Sequence, residues 1–307
     1  MQTHTFPNIP ALGALAVTTG FFDGIHCGHQ AVVRQLLREA HASGLPSCVA
    51  TYHPHPRVVL GKDSGLQLLT CFEEKQARLS ALGVEHIVVI PFTKELAALE
   101  AKVFFEQYLV NSLNVRVLVV GYDHNIGKNA AADFDAIKML GNAYGVKVTQ
   151  VRACTQNEVE VSSTKIRGAL KNGDVAAANA MLGYEYSLYG QVVDGSRIGR
   201  QIGFPTANIF SECALKMLPK NGAYAVRVTL DGKPYGGMLN VGTRPTINSG
   251  ERHSAEVHIF DFSHDIYGKK ITVAFVERLR DERKMESLEE LKAQLCKDER
   301  AARAILR

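Results

Sequence analysis

Over the first 150 residues, short apolar runs alternate with stretches that repeat apolar residues at helical spacing. The runs at 12–19, 47–53, 86–92, 115–123 and 146–151 are typical of buried strands, with helical patterns between them. Strands that alternate with helices run parallel, because each connection crosses back over the sheet. The pattern predicts an α/β doubly wound parallel sheet, a Rossmann-like fold that binds ligands at the carboxyl ends of its strands.

Two short helices are expected where this alternation ends. Ser162 or Ser163 could cap the first, which would end near Gly173, and Asp174 would cap the second, which would run to Leu182. A helix pair of this kind is typical of the close of a domain.

From residue 186 onward, short strand patterns follow one another without a helical crossover between them. Asp231 and Gly232 separate two of these patterns and form a type I′ hairpin signal. Such strands are antiparallel, and we expect them to close into a barrel. We therefore predict two domains, an α/β domain at 1–185 and an antiparallel β-barrel domain at 186–307.

A final helix should follow the barrel. Ser287 would begin it, with Glu290 completing a capping box. Leu288, Leu291 and Leu295 share one face, which we expect to pack on the barrel.

Charge and composition exclude some classes of function. The chain has 35 basic and 31 acidic residues, a net charge of +4, which is too small and dispersed to indicate nucleic-acid binding. The apolar run 11–17 is too short to span a membrane, and no basic leader precedes it. The six cysteines form no C-x-x-C pair, which disfavours zinc and is typical of reduced thiols. We expect a soluble cytoplasmic protein without nucleic-acid or membrane partners; self-association stays open.

The stretch TGFFDGIHCGH, at 19–29, lies where a predicted strand meets a predicted helix. Glycines there let backbone N–H groups approach an anion, and a helix start adds partial positive charge. His26 and His29 are three residues apart and can point the same way to donate hydrogen bonds to a phosphate. Taken alone, the fragment fits equally well a turn with two surface histidines. A zinc pair is disfavoured because no third ligand is near.

The stretch GRQIGFPTANI, at 199–209, is the densest motif of the second half. Gly199 and Gly203 permit a tight loop, and Thr206 and Asn208 present oxygens on one side of an extended segment. Oxygen ligands suit Mg²⁺. Taken singly, the motif also fits a Pro-Gly loop with polar turn residues.

Two signatures of the first half resemble those of class I nucleotidyltransferases. GFFDGIHCGH resembles their GxFDGxHxGH signature, and VSSTKIR (161–167) resembles their second signature, SSTxIR. TYHPHPRVVL (51–60) and VGYDHNIGK (120–128) are similar to the flavin-type members of that class. A nucleotidyltransferase for pantetheine phosphate or nicotinate nucleotide would explain this half alone.

The second half resembles riboflavin kinases. GRQIGFPTAN is close to their GRxLGFPTAN signature, and NVGTRPTI (240–247), AEVHIFDF (255–262), DIYGKK (265–270) and the final 275–295 stretch continue the resemblance in order. Together the two halves resemble the bacterial bifunctional riboflavin kinase/FMN adenylyltransferases, or FAD synthetases.

That resemblance implies FAD synthesis from riboflavin, with ATP as co-substrate, riboflavin, FMN and FAD as substrates and products, and Mg²⁺ as cofactor. It assigns catalysis to Glu256, the general base, and to His26, His29 and Arg167. The metal ligands would be Thr206 and Asn208, and the flavin-binding residues would be His55, Pro56, Arg57, Asn240 and Arg280. ATP would be bound by two sets of residues, one for each half: Gly20, Phe22, Asp23, Gly24, His26, His29, Asp123, Ser163, Thr164 and Arg167; and Gly199, Gly203, Pro205 and Thr206.

Departures from the family pattern leave other interpretations open. Phe21 stands where the family often has Asn, Thr or Val, and HNIGKNAAAD (124–133) replaces a stretch that usually carries arginines. Arginine stacks and forks where lysine cannot. The alternatives are therefore a riboflavin kinase with weakened or absent adenylyltransferase activity, or a non-catalytic flavin- or nucleotide-binding module. Glu256 by itself would also fit a strand residue that faces solvent.

Overall fold

The computed structural model describes residues 1–61, 65–124, 126–128, 132–156, 159–195, 198–246 and 250–307. The chain divides into two compact units, Met1–Ser162 and Ser163–Arg307. The pair of helices that the sequence analysis assigned to the first domain is counted with the second unit. The functional boundary after residue 185 stays a prediction.

The first unit is built on a parallel sheet, with six strands among its described residues in the order β1-β4-β3-β2-β5-β6. A further two-stranded hairpin, β7-β8, lies apart from it. The strands are β1 (Gln2–Thr5), β2 (Leu15–Gly20), β3 (Ser47–His53), β4 (His86–Pro91), β5 (Val115–Gly121), β6 (Lys147–Val151), β7 (Thr155–Gln156) and β8 (Val159–Glu160).

Helices pack on both faces of this sheet. The helices are α1 (Cys27–Ser43), α2 (Pro56–Val59), α3 (Phe72–Ala81), α4 (Lys94–Ala97), α5 (Ala101–Phe104), which continues as a π-helix (Phe105–Ser112), and α6 (Phe134–Tyr144). One core cluster joins the sheet to α1 and α3 through Leu36 and Leu79. The other joins it to α5 and α6 through Phe104 and Ile137. The doubly wound prediction is confirmed.

The second unit opens with two helices, α7 (Ser163–Asn172) and α8 (Val175–Leu182). Asp174 caps α8, as predicted, because its carboxylate accepts a hydrogen bond from the N–H of Ala177 at 2.9 Å. Gly173 follows α7 with a φ of +80°, a conformation that favours glycine.

A closed barrel forms the body of the second unit, with six antiparallel strands among the described residues in the order β10-β13-β12-β11-β14-β9. The elements are β9 (Ser187–Val193), α9 (Ile198–Gln201), β10 (Ala207–Phe210), β11 (Gly222–Leu230), β12 (Lys233–Thr246), β13 (Gly250–Ile259), β14 (Lys270–Asp281) and α10 (Leu288–Ile305). Asp231 and Gly232 form the predicted two-residue hairpin, both with positive φ. The barrel prediction is confirmed.

The C-terminal helix α10 packs on the outside of the barrel. Ala302 and Leu295 join Ala225 and Met238 in one apolar cluster. Leu288, which we expected on the same face, is 49% exposed, because it lies in the first turn before the helix reaches the barrel. None of the described helices is long and apolar enough to cross a membrane.

Candidate active sites

The glycine-rich stretch after β2 forms a strained loop at the carboxyl edge of the parallel sheet. Phe22 and Ile25 have φ angles of +49° and +37°, and Gly24 lies between them at +84°. Positive φ is unfavourable for residues with a side chain, and such strain is concentrated at functional sites. The backbone of this loop is therefore held in one shape by its surroundings.

Asp23 helps to hold the loop in this conformation. Its carboxylate accepts hydrogen bonds from the backbone N–H groups of Leu69 and Thr70, each at 3.0 Å. The Thr70 hydroxyl in turn accepts from the N–H of Gly24 at 3.0 Å. Asp23 and Phe22 are both buried. Their first role is therefore to hold the loop in its conformation.

His26 and His29 meet at the start of α1. His26 is the N-cap residue, and its Nδ1 accepts from the backbone N–H of His29 at 3.4 Å. The two rings stack with centroids 3.7 Å apart and planes at 19°. A Cβ on Gly28 would lie 3.2 Å from the His26 ring, so the missing side chain leaves room for this stack.

Burial keeps both imidazoles neutral. It lowers the pKa of His26 to about 4, although Asp123 and Asp23 act in the opposite direction. The pKa of His29 lies well below its usual value because of burial, with smaller contributions from His26 and Lys75. The Nδ1 atom of His29 is buried and has no hydrogen-bond partner among the described residues. The pair can therefore donate and accept hydrogen bonds without carrying charge.

The end of β5 lies beside the β2 loop, since β5 and β3 flank β2 on opposite sides. Connections diverge between β2 and β5, and a doubly wound sheet binds its ligand at such a point. Asp123 follows β5. It is close enough to His26 to offset part of the lowering of the His26 pKa by burial. His124 comes next; burial lowers its pKa to about 4, and its Nε2 atom has no partner among the described residues.

An aromatic cluster lies on the other side of the β2 loop. The Phe21 ring packs at centroid distances of 5.0 Å from Tyr52, 5.4 Å from His55 and 6.0 Å from Phe92. His55 caps the short helix α2, because its Nδ1 accepts from the N–H of Arg57 at 3.2 Å. These residues come from the carboxyl ends of β2, β3 and β4, the edge where ligands are expected.

The residues of the SSTxIR signature lie on helix α7 of the second unit. Ser163 and Thr164 form its first turn, and Arg167 follows one turn later. Their predicted contact with ATP stays a prediction.

A row of polar residues crosses the barrel. Asn208 on β10 is directly opposite Glu256 on β13, and Glu256 is directly opposite Asn240 on β12. Through Ala223 on β11 the same register reaches Arg280 on β14. Directly paired residues place their side chains on one face, about 5 Å apart. The family resemblance assigned roles in the kinase half to Asn208, Glu256, Asn240 and Arg280, and the register brings these four residues into one row.

The row lies on the outer face of the barrel. The next row, one residue along each strand, consists of Ala207, Val257, Leu239 and Tyr224, all buried in the interior. Because side chains alternate along a strand, the polar row points outward.

Arg280 is fixed by the C-terminal helix. Its guanidinium donates to both carboxylate oxygens of Asp298 on α10, at 2.7 and 3.0 Å. The Asp298 side chain is only 5% exposed. The bidentate pair holds the guanidinium in a fixed position at the end of the row.

Hydrogen bonds to the carbonyl of Gly199 close the loop before β10. The N–H groups of Ile202 and Phe204 both donate to the carbonyl of Gly199, and a Cβ on Gly199 would collide with the carbonyl of Phe204. His258 bonds the carbonyl of Pro205 at 2.8 Å. This loop delivers Thr206 to the rim of a cavity of about 310 Å³, whose lining includes Pro205 and the segment 262–267.

Comparisons with known proteins match the two parts of the chain to two different family models. The family model of FAD synthetase matches residues 9–165, and that of riboflavin kinase matches residues 182–306. The bifunctional riboflavin kinase/FMN adenylyltransferase of Escherichia coli (strain K12) is 37% identical over 98% of this chain and 95% of its own. The Bacillus subtilis protein of the same name is 38% identical over 92% of this chain and 90% of its own.

This chain belongs to the bifunctional riboflavin kinase/FMN adenylyltransferase family. A crystal structure described as a macrolide-efflux protein from Streptococcus pneumoniae also matches, with a TM-score of 0.89, 32% identity and coverage of 98% of both chains. The family resemblance and the expectation of a two-activity transferase are confirmed.

Some of the residues that depart from the family pattern lie in the described part of the chain. Phe21 contributes its ring to the aromatic cluster. Lys128 is exposed, and Ala132 is buried. Asn125, Ala130 and Ala131 lie outside the described residues.

Sequence reasoning missed Lys75, His124 and Asp298 as residues of these sites. Lys75 and Asp298 are ordinary surface residues by pattern, since each sits in a charged helical stretch. His124 could have been noted as the first departure after Asp123.

Proposed function

We propose that this protein converts riboflavin to FAD in two ATP-dependent steps at two separate sites. The barrel unit transfers the γ-phosphoryl group of ATP to the 5′-hydroxyl of riboflavin and yields FMN. The α/β site then joins the FMN phosphate to the α-phosphorus of a second ATP, and pyrophosphate leaves. One observation carries the proposal. This chain, a member of the bifunctional family, contains both a buried imidazole pair at a helix start and the Asn208–Glu256–Asn240 row.

In the kinase step, Glu256 accepts the proton of the ribityl hydroxyl as the oxygen attacks. It is placed for this by the rigid strands on either side. Phosphoryl transfer needs little covalent work from the protein, so positioning dominates. Asn240 and Arg280, further along the row, hold the flavin.

The donor set beside Glu256 fits Mg²⁺. The Asn208 carboxamide is buried directly opposite the Glu256 carboxylate, and Thr206 lies two residues before it on the chain. Hard oxygen donors of this kind are the ligands that Mg²⁺ takes in protein sites. When bound to Thr206 and Asn208, the ion would neutralise charge on the ATP phosphates.

The cavity of about 310 Å³ next to Thr206 would receive the nucleoside of ATP. Its apolar lining includes Val192, Val257, Ile259 and Ile266, which suits an aromatic base. With Gly199, Gly203 and Pro205 shaping the adjoining loop, the phosphates would extend from the cavity toward Thr206 at its rim.

In the adenylyl step, His26 and His29 donate hydrogen bonds to the α-phosphate, whose negative charge grows in the transition state. The loop of Gly20, Phe22, Asp23 and Gly24 would border the same anion, next to the start of helix α1. Arg167, with Ser163 and Thr164, stabilises the leaving pyrophosphate. Asp123 binds the adenosine side.

The aromatic cluster would hold the flavin ring of FMN. Phe21, Tyr52 and Phe92 offer ring surfaces for a planar aromatic ligand, and His55, Pro56 and Arg57 border the cluster. Phe21, although unusual for the family, therefore adds to flavin binding in this proposal.

The protein would act in the cytoplasm. The six cysteines are scattered and form no C-x-x-C pair, which is typical of thiols in a reducing compartment.

Incubation of the protein with riboflavin, ATP and Mg²⁺, followed by chromatographic separation of flavins, tests the proposal. We expect FMN to form first and FAD to follow. FMN without FAD would favour a kinase with an inactive adenylyltransferase unit. Neither product would favour a binding module.

A further inference from the structure

A buried lysine lies directly behind the β2 loop. Lys75, on the first turn of α3, is 9% exposed. Its ammonium donates to the backbone carbonyl of Phe21 at 2.5 Å and to the Thr51 hydroxyl at 3.4 Å. Thr51 also donates to the carbonyl of Phe21, at 3.5 Å. The carbonyl that precedes the strained Phe22 is thus held by a charge.

This charge faces the imidazole pair and the loop carboxylate. Asp23 favours the charged form of Lys75, whereas burial lowers the pKa of Lys75 to about 8. Lys75 in turn disfavours a charge on His29. Glu74, its neighbour on α3, is turned to the N–H of Cys71 at 2.9 Å. Among the described residues, the ionisable groups that act on Lys75 or are acted on by it are therefore Asp23 and His29.

Burying a charge is costly unless the charge is paired and hydrogen-bonded. A neutral side chain of similar length would fill the same space, and Thr51 could still donate to the Phe21 carbonyl. The ammonium adds two things that such a side chain lacks. It fixes the turn that aims Gly24 and His26, and it sets a positive potential beside His29.

We propose that Lys75 is a positioning residue for adenylyl transfer, whose ammonium holds the Phe21–Gly24 turn. The inference rests on the proposed roles of His26 and His29. Because the ammonium is present below its pKa and lost above it, FAD formation from FMN should decline as the pH rises through about 8. The substrate phosphates do not interfere, since their last ionisation lies near pH 6.

The experiment measures kcat and KM for FAD formation from supplied FMN between pH 6.5 and 9.5. It compares wild type, Lys75→Met, Lys75→Arg and the matched control Lys138→Met, whose lysine is exposed on α6. We expect Lys75→Met to lower kcat about 100-fold, the effect of a small misplacement of reacting groups, and to remove the alkaline decline. Lys75→Arg, which stays charged, should recover at least part of the rate without that decline.

Riboflavin phosphorylation by the same preparations reports folding, and we expect it to be unchanged in all variants. Three results would overturn the inference: a wild-type rate that stays flat through pH 8, Lys75→Met with near wild-type kcat, or Lys75→Met with the alkaline decline intact. A wild-type protein that makes no FAD at any pH would instead refute the proposed function.

Discussion

The two proposed phosphate sites of this chain are built in opposite ways. In the first unit, a loop with positive φ at Phe22 and Ile25 is held from behind by Asp23 and Lys75 and presents two neutral imidazoles at a helix start. In the second, strand register alone sets Asn208, Glu256 and Asn240 in a row. A site on strands inherits the rigidity of its sheet, whereas a site on a loop needs further residues to hold it. Changes behind the loop should therefore matter more than changes behind the strands.

The largest effect on FAD formation should come from His29→Ala. Loss of a hydrogen-bond donor to the developing charge typically costs about 10²–10³ in kcat, and the stacked partner His26 also loses its position. We expect FAD formation from FMN to fall at least that far, with FMN formation from riboflavin near wild type. Loss of both activities would argue against two independent sites.

Glu256→Gln should affect the other step. Removal of a general base costs about 10²–10⁴ in rate, while the amide keeps the shape of the side chain. We expect riboflavin phosphorylation to fall by that factor and FAD formation from supplied FMN to persist. Steady-state assays with each flavin measure this, and an unchanged phosphorylation rate would remove Glu256 from its proposed role.

A smaller effect is expected from Gly28→Ala. The added Cβ would lie 3.2 Å from the His26 ring, so the ring must move by a few tenths of an ångström. We expect roughly a tenfold loss in kcat for FAD formation. Gly168→Ala, where the described residues leave open space, is the matched control and should keep the wild-type rate. Equal rates for the two variants would show that the stack does not matter.

The smallest effect on activity should come from Asp298→Ala. It leaves the partly buried Arg280 guanidinium without its bidentate partner, which we expect to lower the free energy of unfolding by about 2 kcal/mol and to raise the KM for riboflavin severalfold. Asp261→Ala removes an exposed pair with Arg303 and should leave the free energy of unfolding close to that of wild type. Denaturant unfolding of both variants measures the difference, and equal costs would contradict the structural role of Asp298.

The sequence was sufficient to predict many of the elements that carry the two sites, because these elements have strong local patterns. Buried strands such as 115–121 and the Asp231-Gly232 turn carry strong local signals. Strand β1 does not, because QTHT has no apolar residue, although it pairs in register with β4. The outward row on the barrel depends on register between distant strands, and the role of Lys75 depends on a contact 54 positions away. Such contacts leave no trace in local pattern.

The most direct test of two independent sites is a mixing experiment with His29→Ala and Asn208→Ala. Supplied with riboflavin, ATP and Mg²⁺, the first variant should stop at FMN and the second should leave riboflavin unchanged. A mixture of the two should make FAD, because FMN released by one is adenylylated by the other. A mixture that makes no FAD, while the Asn208→Ala variant also fails with supplied FMN, would contradict the account.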